Sequence, residues 1–137
     1  MRKALIALAA TPWIVACGAE SPTLPSATLN DVEWRLQAFE LADGSQITIS
    51  DPAKFTANFG EDGGLGARAD CNVCNGSYEL RGGALEVGLM ACTLAYCGDA
   101  SHHDRYLGAL ASAQTFDVTG EGLRIEYAGG RMRFLAN

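Results

Sequence analysis

Four cysteines in the second half of the chain are the side chains best suited to chemistry. Cys71 and Cys74 are separated by two residues, and Cys92 and Cys97 by four. Thiols in this order can form disulfides, hold zinc as a tetrahedron of thiolates, or exchange disulfides with a substrate. These three chemistries make different demands on the segments that position the cysteines.

A turn predicted at Gly82-Gly83 indicates which cysteines can meet. Across a two-residue hairpin turn at these positions, the numbers of paired residues sum to about 165. The sum is 166 for Cys74 with Cys92 and 168 for Cys71 with Cys97, so each pair lies nearly opposite across one hairpin. We predict these two nested disulfides, although four cysteines allow three connectivities.

A fifth cysteine, Cys17, closes an N-terminal segment with the pattern of a signal peptide. Arg2 and Lys3 precede an uncharged and mostly apolar run over residues 4–16, which is too short to cross a bilayer. Residues 14–17, Ile-Val-Ala-Cys, resemble the bacterial lipobox, whose cysteine receives diacylglycerol. We predict a lipoprotein signal peptide over 1–17, lipidation at Cys17, and a membrane-anchored protein that faces the periplasm.

The residue after Cys17 and the segment that follows suggest where the anchor lies and how the domain is attached. Gly18 is not the aspartate that tends to mark retention at the inner membrane, so we expect the outer membrane. Residues 18–29 are rich in Pro, Ser and Thr, which is typical of a flexible tether. The folded domain is predicted over 30–137.

Export to an oxidising compartment affects the choice among disulfides, zinc binding and redox catalysis for the four cysteines. The spacing is also that of a zinc ribbon, but exported thiols tend to be oxidised before they bind metal. Thiol-disulfide catalysis requires the first thiol of Cys71-x-x-Cys74 at a helix N-terminus, whereas residues 75–78, Asn-Gly-Ser-Tyr, indicate a turn into a strand. Structural disulfides are therefore favoured over zinc binding and redox catalysis, and we expect no cofactor and no metal.

The charge of the processed chain excludes some partners. Loss of Arg2 and Lys3 leaves eight basic residues of ten against sixteen acidic ones, a net charge of −8. This charge opposes binding to nucleic acid and to anionic lipid head groups. It is compatible with a basic protein partner, and we expect the chain itself to be a monomer.

Hydrophobic residues recur with period two through most of the domain, which predicts β-strands. Phe55, Ala57 and Phe59 alternate with polar residues before a glycine-rich turn at 60–64, and a terminal hairpin is predicted around Gly129-Gly130. Further strands are predicted at residues 34–36, 47–50, 77–80 and 84–89, with a turn at 43–44. The predicted fold class is α+β and β-dominated, a curled antiparallel sheet or barrel-like domain with one packed helix.

The one segment with helical spacing follows Ser101. Tyr106, Leu107, Leu110 and Ala111 would share one face of a helix over 102–112, and Ser101 with Asp104 has the pattern of a capping box. The helix would lay this apolar face on the sheet.

Two polar groups resemble metal sites. Residues 102–104, His-His-Asp, are interpreted as the start of the helix with solvated imidazoles, because adjacent residues on a helix do not face each other. Glu61, Asp62 and Asp70 are a candidate acidic patch for calcium, although the EF-hand loop is absent. Asn72, between the first two cysteines, is expected to satisfy backbone groups in a bend rather than to perform chemistry.

Several of these motifs, taken in order, resemble the META domain of the HslJ-like envelope proteins over about residues 30–136. They are Asp31-x-x-Trp34-x-Leu36, Gly66-x3-Asp70-Cys71-Asn72-x3-Gly76-x-Tyr78, Leu85-x-Val87, Cys92-Thr93-x3-Cys97, Tyr106-Leu107-x2-Leu110, Gly122-Leu123-x-Ile125 and Arg133-Phe134. Asp70 stands where many members have glycine, and Cys74 with Cys92 is additional to a single expected pair. The resemblance implies a compact antiparallel β domain with one helix, no known enzymatic activity, and an association with heat shock, antibiotic tolerance and envelope maintenance.

Three functional hypotheses follow. The favoured one is a non-enzymatic, lipid-anchored envelope protein that supports stress tolerance or envelope integrity by binding an unidentified partner. The second is an acidic inhibitor of a basic hydrolase such as lysozyme, held by salt-sensitive attraction. The third, a thiol-redox or zinc protein, requires free or exchangeable cysteines.

Overall fold

The computed structural model describes residues 28–137, so the predicted signal peptide, Cys17 and most of the predicted tether lie outside the described residues. The described part holds ten strands and one α-helix. The strands are β1 (Glu33–Leu41), β2 (Gln46–Thr48), β3 (Phe55–Phe59), β4 (Gly64–Ala69), β5 (Asn72–Arg81), β6 (Ala84–Val87), β7 (Ala91–Cys92), β8 (Ala113–Thr119), β9 (Gly122–Tyr127) and β10 (Gly130–Ala136). Helix α1 (His103–Ala111) lies between β7 and β8, and a 3-10 turn (Pro52–Lys54) precedes β3.

Eight of the strands close into an antiparallel barrel in the order β1-β3-β4-β5-β6-β8-β9-β10, with β10 pairing back onto β1. The two short strands extend it, β2 beside β1 and β7 beside β5. At the β1–β10 seam, Gly130 has a φ of 143°, and a Cβ there would lie 2.1 Å from the carbonyl oxygen of Glu40. The predicted β-dominated, curled fold with one packed helix is confirmed.

The alternation seen in the sequence is the alternation between the barrel interior and its surface. Phe55, Ala57 and Phe59 of β3 are buried, as are the apolar residues of the terminal hairpin, namely Leu123, Ile125, Met132 and Phe134. An eight-stranded barrel has an interior that side chains can just fill. These residues therefore form a packed core.

Two strands of the barrel were not predicted. In β4 the inward residues are Leu65, Ala67 and Ala69, and small residues with two glycines give a weak β signal. In β8 the register shifts between Ala113 and Thr115, and none of its seven residues is buried. Without a buried face on every second residue, the period that marks a strand is lost.

Helix α1 packs on the barrel with Tyr106, Ala109 and Leu110 buried. Of the predicted face, Tyr106 and Leu110 are buried, Leu107 is half-buried and Ala111 is exposed, so the face is rotated towards Ala109. It begins at His103, one residue later than predicted. The N-cap residue is His102, and the Oγ of Ser101 before it accepts a hydrogen bond from the His103 N–H at 3.1 Å. The predicted capping box is not formed, because the Ser101 Oγ accepts from the N–H of His103 rather than that of Asp104, and the Ser101 N–H donates to the carbonyl oxygen of Gly98.

The chain enters the barrel at one end, here called the N-terminal end. Leu29, the last residue of the predicted tether, is buried, and its carbonyl oxygen accepts from the Trp34 indole at 2.9 Å. Asn30 pairs with Phe59 at the end of β3 and contacts the hydroxyl of Tyr78. The opposite end, here called the loop end, is where β4 turns into β5 at residues 70–71. Within residues 28–137, no helix has the length and apolar character needed to span a membrane.

Candidate functional site

Two disulfides tie the loop end together, and they join the pairs named from the sequence. Cys71 is bonded to Cys97 and Cys74 to Cys92. Cys74 and Cys92 face each other directly in the β5–β7 ladder. Their residue numbers sum to 166, whereas the numbers of paired residues in the β5–β6 hairpin sum to 165, so the register differs by one residue between the two ladders. The inner bridge is therefore built into the sheet, with Cys74 fully buried, whereas Cys71 is exposed in the turn before β5.

This pairing argues against the two hypotheses in which the cysteines are reactive, namely redox catalysis and zinc binding. A Cys-x-x-Cys redox motif cycles through a disulfide between its own two cysteines, but Cys71 and Cys74 are each bonded to another partner. Cys71 lies in a turn between strands, not at the helix N-terminus where the first cysteine of such a redox motif is placed. Because these four sulfurs are bonded in pairs, none of them is a thiolate that could bind zinc.

Asn72 holds the segment that carries Cys97. Its side chain is buried, its Oδ1 accepts from the Ala95 N–H at 2.7 Å and from the Thr93 hydroxyl at 2.9 Å, and its Nδ2 donates to the Ala95 carbonyl oxygen at 2.9 Å. The amide thus pairs with one loop residue as a strand neighbour would. The expectation that Asn72 satisfies backbone groups holds, although it does so from the first residue of β5.

Asp70 explains a departure from the family pattern noted in the sequence. Its φ is 58°, in the left-handed region where glycine is favoured and aspartate is tolerated. The carboxylate accepts from the Ser101 hydroxyl at 2.7 Å and lies 3.7 Å from the Lys54 ammonium. These contacts compensate for the backbone cost and join the turn to the start of helix α1.

Residues 93–102, here called the cystine loop, connect β7 to α1 and present apolar side chains to solvent. Leu94 is 94% exposed and Tyr96 is 79% exposed. Both line a depression of about 520 Å³, together with Asn72, Asp99, His103 and Asp104. The sequence of this loop has no periodic pattern from which its role could have been predicted. The available signal was the pair of large apolar residues in a turn-rich segment between two cysteines.

Two carboxylates border this depression. Asp99 accepts a hydrogen bond from the hydroxyl of Tyr96, and Asp104 is fully exposed with its Oδ1 3.0 Å from Nδ1 of His103. Among the salt bridges of residues 28–137, neither Asp99 nor Asp104 pairs with an arginine or lysine. The hydrogen bond to Asp99 raises the pKa of Tyr96, because a phenolate would face a carboxylate.

Asp99→Asn is expected to lower the pKa of Tyr96 towards the ordinary tyrosine value, since the neutral amide does not repel a phenolate. The measurement is an alkaline titration of the Tyr96 side chain followed by NMR of its ring carbon next to oxygen. Asp51→Asn, at an exposed aspartate near the same end of the barrel, is the control and should leave the midpoint unchanged. An unchanged midpoint in Asp99→Asn would contradict the contact.

The two histidines differ from the prediction of solvated imidazoles. His102 lies beside Phe39 and Phe55, with ring centroids 6.3 and 6.4 Å apart. The side chain of His103 is only 20% exposed, and its Nε2 is buried without a hydrogen-bond partner among residues 28–137. Both rings are half-buried because helix α1 starts against the barrel rather than in solvent.

The acidic residues predicted as a calcium site do not come together in the structure. Glu61 and Asp62 lie in the turn before β4, while Asp70 follows its last residue, so the predicted acidic patch is divided between the two ends of the barrel. Within the described part of the chain, no three His, Cys, Asp or Glu side chains form a metal-binding group. A second depression of about 430 Å³ beside helix α1 is apolar, lined by Val87, Gly88, Leu89, Met90, Cys92, Leu107 and Ala111.

Comparisons with solved structures give the same fold. A protein from Burkholderia xenovorans, solved by NMR, is 22% identical with a TM-score of 0.67, and the match covers 100% of this chain and 99% of that one. A second NMR structure is 21% identical with a TM-score of 0.57, covering 76% of this chain and 87% of that one. At these identities the likeness concerns the fold alone. A comparison with curated proteins finds no match.

A comparison of the sequence with models of protein families gives the family of the chain. Residues 27–137 match the META domain, which extends slightly beyond the range over which the motifs show the resemblance. This range includes every described strand, both disulfides and the cystine loop. The chain belongs to the META domain family.

Proposed function

We propose that this protein is a lipid-anchored, non-enzymatic protein of the cell envelope that binds a partner protein through the cystine loop and thereby supports envelope integrity or stress tolerance. The observation that carries the proposal is the exposure of Leu94 and Tyr96 on a braced loop. Neighbouring apolar side chains that remain in solvent on a restrained segment mark interaction sites. Membership of the META family and the pairing of all four domain cysteines fit a non-enzymatic role.

The contacts that restrain the cystine loop favour a role in binding, rather than an exposed connection without a function. Cys97 is fixed by its disulfide, Ala95 by both polar atoms of the Asn72 amide, and the Thr93 N–H by the carbonyl oxygen of Val73 at 3.0 Å. Because these contacts fix the loop before a partner arrives, little conformational entropy is lost on association. A segment that served only as a connection would not need three kinds of restraint.

The position of the loop supports a protein partner rather than the membrane. A tether from Cys17 would join the barrel at its N-terminal end, next to Asn30 and Tyr78. Along β5, Tyr78 is six residues from Asn72, which corresponds to about 20 Å of strand. An anchored barrel would therefore direct the cystine loop away from the lipid that holds it.

Position-specific cross-linking in intact cells tests this function. A photoreactive phenylalanine at Leu94 is expected to give one cross-linked protein species of defined mass. The same residue at Leu80, an exposed leucine next to the β5–β6 turn at the N-terminal end, is the matched control and should not give it. Identical products at both positions, no protein product at Leu94, or cross-links from Leu94 to lipid would contradict the proposal.

Inhibition of a basic hydrolase such as lysozyme is the second candidate function. It is favoured by the carboxylates of Asp99 and Asp104 beside the exposed apolar residues. A fall in lysozyme turnover when the protein is added in equal amount, reversed by moderate salt, separates this function from a structural one.

A further inference from the structure

We infer that the depression beside Tyr96 receives the side chain of an arginine or lysine from the partner protein, an inference that rests on the proposed function of the cystine loop. The depression, of about 520 Å³, combines two features that such a side chain requires together. It has apolar surface for the aliphatic stem and carboxylates for the charged head.

The carboxylates supply the charge complementarity. Asp99 accepts from the Tyr96 hydroxyl through one oxygen, Oδ1, which leaves Oδ2 for a second donor. The Asp104 carboxylate is fully exposed and, among residues 28–137, pairs only with the imidazole of His103. Some other carboxylates of the described surface have an arginine partner, as Glu40 and Glu126 do with Arg131. A guanidinium or ammonium brought into the depression would supply the cation that these two aspartates lack.

The apolar residues explain why the ligand is a side chain with a stem rather than a bare cation. Leu94 and Tyr96 are both exposed at the rim of the depression. A stem of three or four methylenes would cover them, and a cation near the Tyr96 ring gains a further attraction to its face. His103, whose Nε2 is buried and has no hydrogen-bond partner within the described residues, also lines the depression.

Other occupants fit less well. Burying a neutral apolar group against Asp99 and Asp104 would remove water from both carboxylates without replacing their hydrogen bonds, which is unfavourable. An acidic peptide or an anionic lipid head group would add like charge to a chain that carries a net charge of −6 before processing. A cationic side chain is the occupant for which both the apolar and the charged walls contribute.

The test uses the full-length protein purified from cells and two acetylated tripeptide amides, Gly-Arg-Gly and Gly-citrulline-Gly. Citrulline has nearly the shape of arginine but no charge. We expect the arginine peptide to shift the amide NMR signals of residues 94–104, and to bind about three- to tenfold more tightly than the citrulline peptide. Raising the salt concentration should reduce the difference.

Single substitutions show whether the two aspartates cause the preference for the arginine peptide. Asp99→Asn and Asp104→Asn should each weaken binding of the arginine peptide by about two- to fivefold, whereas Asp51→Asn should leave it unchanged. Equal binding of the two peptides, or the same loss in Asp51→Asn, would overturn the inference.

The two proposals fail separately. If Leu94 cross-links to a protein in cells while the arginine peptide shows no preference, the cationic pocket is wrong and the binding function stands. If the arginine peptide binds as expected while cross-linking at Leu94 yields no protein, the pocket stands as a cation site and its assignment to a partner protein is wrong.

Discussion

Replacing Tyr106 by alanine is expected to lower the free energy of unfolding by about 3–5 kcal/mol, the usual cost of deleting a large buried aromatic side chain. Tyr106 is fully buried at the junction of helix α1 and the barrel. Its ring lies 5.6 Å from that of Phe55, and its hydroxyl donates to the Thr56 carbonyl oxygen at 2.8 Å. The substitution would leave a cavity between the helix and the barrel.

Urea denaturation followed by circular dichroism measures this loss. Tyr106→Phe is the control, because it keeps the ring and removes only the hydroxyl; we expect it to cost about 1 kcal/mol. A loss below about 1 kcal/mol for the alanine variant would show that the helix face does not contribute as its burial indicates.

Tyr106 also predicts a dependence of stability on alkaline pH. Burial raises its pKa well above the ordinary value, so the folded state keeps the phenol protonated when the unfolded chain releases the proton. The contribution is complete below the ordinary tyrosine pKa of about 10 and is lost as the pH rises above it. The free energy of unfolding should therefore fall more steeply above a pH of about 10 in the natural chain than in Tyr106→Phe.

The parts of the fold that were predictable are those with a regular signal in the sequence. Phe55, Ala57 and Phe59 revealed their strand by period two, and Gly82-Gly83 marked a turn from which the cysteine pairs could be derived. Strand β4 was not predicted because two of its three inward side chains are alanines and two of its other residues are glycines, and β8 was not predicted because it has no buried residue. Closure of the barrel through β10 and β1 involves strands far apart in the chain, which no local pattern reports.

The candidate site was less predictable than the fold. The cysteines were found because their residue type and spacing suffice, and Asn72 because it lies between two of them. The exposure of Leu94 and Tyr96, however, depends on where the loop runs over the barrel, and an exposed leucine has the same sequence signal as a buried one. The contact between Tyr96 and Asp99 likewise depends on the turn at Gly98, whose φ is 97°.

Replacing all four domain cysteines by alanine is expected to have the largest effect on stability. In the chain-entropy description, the inner bridge, whose cysteines are 18 residues apart, restrains the unfolded chain by about 3 kcal/mol, and the outer bridge adds somewhat less. The combined loss of about 5–6 kcal/mol is comparable with the whole stability of a small domain, which is about 5–15 kcal/mol. We expect the four-alanine variant to be largely unfolded at about 37 °C, as measured by circular dichroism and near-ultraviolet absorbance.

The two bridges should differ when they are removed singly. Cys74→Ala with Cys92→Ala breaks a bridge inside the core and should cost about 3 kcal/mol. Cys71→Ala with Cys97→Ala should cost about 2 kcal/mol and act mainly on the cystine loop, because Cys71 is exposed and the inner bridge still fixes β7 to β5. A four-alanine variant whose stability lies within about 1 kcal/mol of that of the natural chain would mean that barrel closure alone stabilises the domain. In that case the bridges would serve to shape the cystine loop, and removing the outer pair alone should then abolish cross-linking at Leu94.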